Sequence, residues 1–162
     1  MNIGFVGLGI MGAPMAGHLM AGGHQIITCI HKTSAPKTLI ESGLKVVENA
    51  KEVAKNSEII IVMVPDTPQV QEVLFGQDGI AEGLDNGKLV IDMSSISPIE
   101  TKEFANAIKG MGCSYLDAPV SGGELGAKAA SLTIMVGGSE EDFSRALPIF
   151  ELMGSNITLV GE

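Results

Sequence analysis

Ile3-Gly4-Phe5-Val6-Gly7-Leu8-Gly9-Ile10-Met11-Gly12 is the stretch that decides the fold. Ile3 to Val6 reads as a short strand, and Ala13 to Ala21 as a helix stopped by Gly22-Gly23. Between them, Gly7 to Gly12 matches G-x-G-x-x-G. The pattern is weak alone and gains meaning when a strand leads into it and a helix leaves it. Gly7 permits the tight turn, Gly9 lets backbone approach a pyrophosphate, and Gly12 allows close helix–strand packing. The first turn of the helix adds free N–H groups and a partial positive charge. Gly7, Leu8, Gly9, Ile10, Met11 and Gly12 are therefore the candidate pyrophosphate loop. The competing reading is a glycine turn that binds nothing.

Outward from this loop, short apolar runs alternate with helix-like segments. Gln25 to Ile30 is a second expected strand, Thr38 to Ser42 a short helix, Lys45 to Val47 a third strand and Ala50 to Lys55 a helix. Ile59 to Val64 is an unbroken apolar run ended by Pro65, as in strands buried on both faces. A helix with an early proline starts at Thr67-Pro68, and another at Ser97-Pro98. Leu89 to Met93, Tyr115 to Ala118, Leu132 to Val136 and Ile157 to Val160 are further strands. Glu140 to Met153 is a helix, and Pro119 to Ala130 a small-residue loop. Alternating strands and helices imply right-handed crossovers, hence an α/β Rossmann-type doubly wound, mostly parallel sheet with helices on both faces.

Composition agrees with one such domain. The chain has 162 residues, 45% of them apolar, and 21 are glycine. Its net charge of −9 argues against nucleic acid or an anionic membrane as partner, since both are bound largely by basic side chains. Cys29 and Cys113 form neither a disulfide framework nor a C-x-x-C metal or redox motif, and no metal site is expected. No basic n-region precedes the first strand, and no apolar run is long enough to span a bilayer. A cytoplasmic location is the expectation.

In open α/β sheets, ligands bind beyond the carboxyl ends of the strands. A ribose-binding acid is usual about twenty residues after the glycine loop, but His31-Lys32-Thr33 stands there instead. His31 and Lys32 are candidate contacts, and a basic residue suits a 2′-phosphate, so NADP is favoured over NAD. Met63-Val64-Pro65 ends one strand and can lay backbone under a ribose. Asp92-Met93-Ser94-Ser95 ends the next, with two hydroxyls able to meet a ribose or nicotinamide. Ser121-Gly122-Gly123 follows another and offers a hydroxyl and two accessible N–H groups to a small carboxylate. Each loop alone could be an ordinary turn; all of them fall on one expected sheet edge.

Together these segments resemble the β-hydroxyacid dehydrogenase family. The resemblance rests on Gly4 to Ala16, Met63-Val64-Pro65, Asp92-Met93-Ser94-Ser95-Ile96-Ser97-Pro98, Asp117 to Gly123 and Ile134 to Gly138, in order along the whole chain. It implies reversible hydride transfer between NAD(P)H and the aldehyde carbon of a small β-oxo acid. Val64 to Val70, Ser94 to Lys102 and Phe150 to Gly161 point to tartronate semialdehyde and glycerate. 3-Hydroxyisobutyrate or another small β-hydroxyacid is the alternative.

Carried over by position, Gly7, Gly9 and Gly12 would hold the pyrophosphate. Met63, Val64 and Pro65 would line the adenosine side, Ser95 would approach the nicotinamide ribose, and Ser121, Gly122 and Gly123 would grip the substrate carboxylate. The family's acid catalyst is a lysine beyond the position of Glu162, on a helix leading into an all-helical domain. Residues 1–162 are thus expected to be the cofactor domain of a larger, homo-oligomeric enzyme, inactive alone. A standalone dinucleotide-binding module is the reading from another class. The chain departs from the family pattern in three places: His18 replaces the common Asn, Ala130 the common Gly, and His31-Lys32 the acid or Asn-Arg pair often found after the second strand.

Overall fold

The computed structural model describes residues 1–29 and 35–161. Nine strands alternate with seven helices and a 3₁₀ turn among them. β1 (Asn2–Val6), β2 (Gln25–Cys29), β3 (Lys45–Val47), β4 (Ile59–Val62), β5 (Leu89–Asp92) and β6 (Ser114–Asp117) pair in parallel in the order β3-β2-β1-β4-β5-β6. The expected doubly wound, mostly parallel sheet is present. β8 (Leu132–Gly137) runs antiparallel to β6 and to the two-residue β7 (Val120–Ser121), and β9 (Gly154–Gly161) pairs in parallel with β8.

Residue parity explains why both faces are covered. Ile3, Phe5, Ile59, Ile61, Leu89 and Ile91 point to one face and share a core with α1 (Gly12–Ala21) and α7 (Glu140–Phe150). Val6, Ile60, Val62 and Val90 point to the other. They pack on α3 (Ala50–Lys55), α4 (Thr67–Phe75) and α5 (Pro98–Gly110). Ile59 to Val62 are all fully buried, which is why this run is apolar without alternation. Each such isoleucine or valine contributes about 1.5–3 kcal/mol by leaving water.

The helix starts follow their caps. Asp66 accepts the Gln69 N–H at 3.1 Å, with a proline in the first turn of α4. Asn49 does the same for the Glu52 N–H at 2.9 Å, and Ser139 for the Asp142 N–H at 3.1 Å. A short α2 (Lys37–Glu41) precedes β3.

Several expectations need correction. The Ile59–Val64 run stops being strand at Val62, because its neighbours β1 and β5 end there in register at Val6 and Asp92; Met63 and Val64 are loop. Residues 119–130 are not simply a loop. They form β7 and α6 (Gly123–Ala129), the latter supported by a Glu124–Lys128 ion pair of 2.9 Å one turn apart. The last helix ends at Phe150, not Met153, and the last strand begins at Gly154. Ile30, His31, Lys32 and Thr33 lie outside the described residues.

Candidate functional site

The glycine loop is shaped by the strand beside it. β1 ends at Val6, whose carbonyl accepts the Met63 N–H at 2.9 Å. Gly7 then turns with φ +112°, and a Cβ there would sit 1.9 Å from the Met63 carbonyl oxygen. Only glycine fits. Gly12 is held as tightly, its would-be Cβ 1.8 Å from the Gly7 carbonyl oxygen. Gly9 differs: a Cβ there would meet no protein atom within 4 Å. Its lack of a side chain opens the loop outward and is not needed for packing. Helix α1 begins at Gly12, and the Ala13 N–H bonds back to the Gly9 carbonyl at 3.0 Å.

This loop walls a cavity of about 580 Å³. All six residues Gly7 to Gly12 line it, and Met63, Val64 and Pro65 face them from the end of β4. The cavity sits where the sheet order reverses between β1 and β4, the switch point at which such sheets hold nucleotides. The residues present fit a dinucleotide: a glycine whose Cβ direction is open, a helix N-terminus behind it, and an apolar wall opposite. Cys29, Gln69 and Glu72 extend the lining. Pattern reading missed these three, because they belong to no motif and are gathered only by the fold.

Neither Ser95, the candidate for the nicotinamide ribose, nor the substrate candidates Ser121, Gly122 and Gly123 line this cavity. Ser95, Ser121, Gly122 and Gly123 are exposed, beyond β5 and at the β7–α6 junction. They share the carboxyl edge of the sheet with the glycine loop. Gly122 adopts φ +132°, so its glycine is required by the backbone whatever binds there. His31 and Lys32 lie outside the described residues.

One expectation is corrected behind these loops: of the two hydroxyls Ser94 and Ser95, that of Ser94 is not open to a ligand but buried in a polar chain with Asp92, holding the Val64 N–H. Asp92 and Ser94 are fully buried. Asp92 accepts the Ser94 N–H at 2.9 Å and the Tyr115 hydroxyl at 3.2 Å. Ser94 Oγ accepts the Val64 N–H at 2.9 Å. Burial pushes the Asp92 carboxyl above its ordinary value, and these hydrogen bonds oppose the rise. Burial together with the neighbouring carboxylates raises the Tyr115 phenol. Asp117, at the end of β6, is pushed up to about 6, first by burial and then by the charge of Asp92.

His18 links the two halves of the edge. Its Nε2 donates to the Ala127 carbonyl at 2.8 Å and the Lys128 carbonyl at 3.0 Å, in the last turn of α6. Ala130 follows in the left-handed region at φ 54°, closing α6 as a glycine would.

Among the described residues, no helix is long and apolar enough to cross a membrane, and no group of three or more His, Cys, Asp or Glu is placed to hold a metal.

Comparison with known proteins agrees with this geometry. Residues 2–161 match the family described as the NAD binding domain of 6-phosphogluconate dehydrogenase. The chain is 55% identical over 162 residues to the 2-hydroxy-3-oxopropionate reductase of Escherichia coli K12, covering 99% of this chain and 55% of that protein. It is 41% identical over 159 residues to the mitochondrial 3-hydroxyisobutyrate dehydrogenase of Mus musculus, covering 98% and 48%. The solved 3-hydroxyisobutyrate dehydrogenase of Mycobacterium tuberculosis with L-serine superposes with a TM-score of 0.91 at 36% identity, over 99% of this chain and 54% of that one. The chain spans about half the length of the curated relatives it matches. A strand–glycine loop–helix at the switch point and this run of matches lead to one conclusion: the chain belongs to the NAD-binding domain family of the β-hydroxyacid dehydrogenases.

Proposed function

We propose that this domain serves an NAD(P)H-dependent oxidoreductase that reduces tartronate semialdehyde to glycerate, reversibly. The observation that carries the reading is 55% identity, over the whole chain, to the E. coli 2-hydroxy-3-oxopropionate reductase. The 41% identity to a 3-hydroxyisobutyrate dehydrogenase supports the second reading, a related semialdehyde of the same size.

In this reading Gly7 to Gly12 hold the pyrophosphate, with Gly9 meeting it backbone to oxygen. Met63, Val64 and Pro65 line the adenosine side, and Ser95 approaches the nicotinamide ribose. His31 and Lys32 receive the 2′-phosphate of NADP. A bound nicotinamide dinucleotide supplies the hydride. Ser121 donates its hydroxyl to the substrate carboxylate, and the Gly122 and Gly123 N–H groups complete the grip. Carboxylate capture fixes the distance from the sheet edge to the aldehyde carbon, and so selects short oxo acids.

The developing alkoxide needs a proton donor. In this proposal it is a lysine in an all-helical domain following residue 162, and the whole protein is a homo-oligomer. Lys88 and Lys128 are otherwise engaged: Lys88 Nζ donates to the Ala54 carbonyl, and Lys128 pairs with Glu124.

The test is a substrate panel on the full-length protein. Tartronate semialdehyde should give a kcat/KM at least about tenfold above that of the semialdehyde of 3-hydroxyisobutyrate, a difference of about 1.4 kcal/mol. Ser121→Ala should raise KM more than it lowers kcat. A panel led by the branched semialdehyde would replace the first reading with the second.

A further inference from the structure

The polar chain Tyr115–Asp92–Ser94–Val64 lies directly behind the loops assigned to the cofactor. The parallel ladder between β4 and β5 ends at Val62 and Asp92, extended by one bond from the Met93 N–H to the Val62 carbonyl at 2.9 Å. Beyond that point, the bond from the Val64 N–H to Ser94 Oγ ties the two loops together through a side chain. Asp92 in turn holds Ser94 by its backbone N–H, and Tyr115 from β6 holds the other carboxylate oxygen. Burying an acid this completely costs stability unless its partners are all present, and apolar replacements of buried polar groups are often no worse for folding. A packing role alone does not account for a carboxylate here. Its position does: Val64 faces the cavity, and Ser95 is the next residue after Ser94.

We propose that Asp92 and Ser94 are positioning residues for dinucleotide binding. They hold Val64, on the adenosine side, and Ser95, on the nicotinamide-ribose side, at one fixed spacing. This rests on the cofactor reading given above. The dinucleotide must bridge both loops at once, so a loop pair free to drift would bind it more weakly even with every contacting residue intact.

The test titrates NADH and NADPH into the parent and four variants, each checked by circular dichroism to be folded at the temperature used. Ser94→Ala removes the acceptor for the Val64 N–H and should weaken binding by about tenfold. Ser57→Ala is the control. The Ser57 hydroxyl is buried and donates to the Val53 carbonyl at 2.7 Å, just before β4 and at the opposite end of that strand. It loses a comparable hydrogen bond and should bind within about twofold of the parent. Asp92→Asn keeps an oxygen for the Ser94 N–H and should stay within about threefold, whereas Asp92→Ala should lose about tenfold. If Ser94→Ala does not fold, the two Asp92 variants carry the test. A parent that binds neither nucleotide overturns the cofactor reading itself. A parent that binds, with Ser94→Ala matching Ser57→Ala or with Asp92→Asn as poor as Asp92→Ala, overturns the positioning role alone.

Discussion

Gly7 and Gly9 lie two residues apart in one loop, and alanine should damage them in opposite ways. At Gly7 the backbone is in the left-handed half of conformational space and a Cβ would meet the Met63 carbonyl oxygen at 1.9 Å. The conformation alone costs alanine about 1–2 kcal/mol, and forcing the carbonyl aside adds about 1–3 kcal/mol. Gly7→Ala should therefore lose about 2–5 kcal/mol, or about 10 °C of melting temperature for a chain of this size. At Gly9 a Cβ meets nothing in the protein within 4 Å. Alanine in a compatible backbone stabilises by about 0.4–1 kcal/mol, because the unfolded chain loses freedom. Gly9→Ala should melt about 1–4 °C higher than the parent. The same methyl stands where backbone would meet a pyrophosphate. Losing one charge-assisted hydrogen bond of about 1.5–3 kcal/mol weakens dinucleotide binding by roughly 10–100-fold. Thermal melts give the first quantity, and NADH fluorescence titration the second. A Gly9→Ala protein that binds like the parent, or unfolds as readily as Gly7→Ala, would refute the assignment of that glycine to the ligand.

Three further outcomes follow from particular residues. Ala130→Gly should stabilise the chain by about 0.5–1 kcal/mol, read as a urea midpoint, because Ala130 closes α6 at φ 54° where glycine carries no penalty. Asp117 is pushed from an ordinary 3.8 up to about 6, so the folded state holds its proton more tightly than the unfolded chain does. This group's penalty is absent below about pH 4 and grows as pH rises to about 6. Asp117→Asn should thus stabilise the protein at pH 7 and leave it near the parent at pH 4; equal urea midpoint shifts at both would remove the effect. Lys32→Ala should weaken NADPH binding by about tenfold and leave NADH within about twofold, and equal changes in both would remove the 2′-phosphate role.

Where sequence and structure agree, local chemistry and burial point the same way. Ile59 to Val62 read as a doubly covered strand because each residue needs an apolar neighbour on its own face, and alternate residues do join opposite cores. The glycine loop was legible because sterics at Gly7 and Gly12 leave no other residue possible. Where they differ, the cause is nonlocal. Val64 is as apolar as Val62, yet only Val62 has ladder partners on both sides. Helix α6 hides in a glycine-rich run, although Glu124 and Lys128 at helical spacing were an available sign. Ser155 and Asn156 look like a turn, but β9 lies at the margin of the sheet, where its side chains are exposed and polar residues cost little. The role of Ser94 was not legible because its hydroxyl bonds to Val64, thirty positions away, on the neighbouring strand's loop. The lining by Cys29, Gln69 and Glu72 was missed for the same reason.

The contact between Gly7 and the Met63 carbonyl also sets an order of events during synthesis. The glycine loop is synthesised well before β4, the strand whose end defines its shape. β1 can pair early with β2, yet its other flank stays open until β4 has been added at a rate of about 5–20 residues per second. For those seconds that flank of β1 is unpaired, and the cavity wall that β4 supplies through Met63, Val64 and Pro65 is not yet made. Cofactor rescue of a weakened variant should therefore act on the finished chain and not on its emergence, a kinetic separation written into the strand order itself.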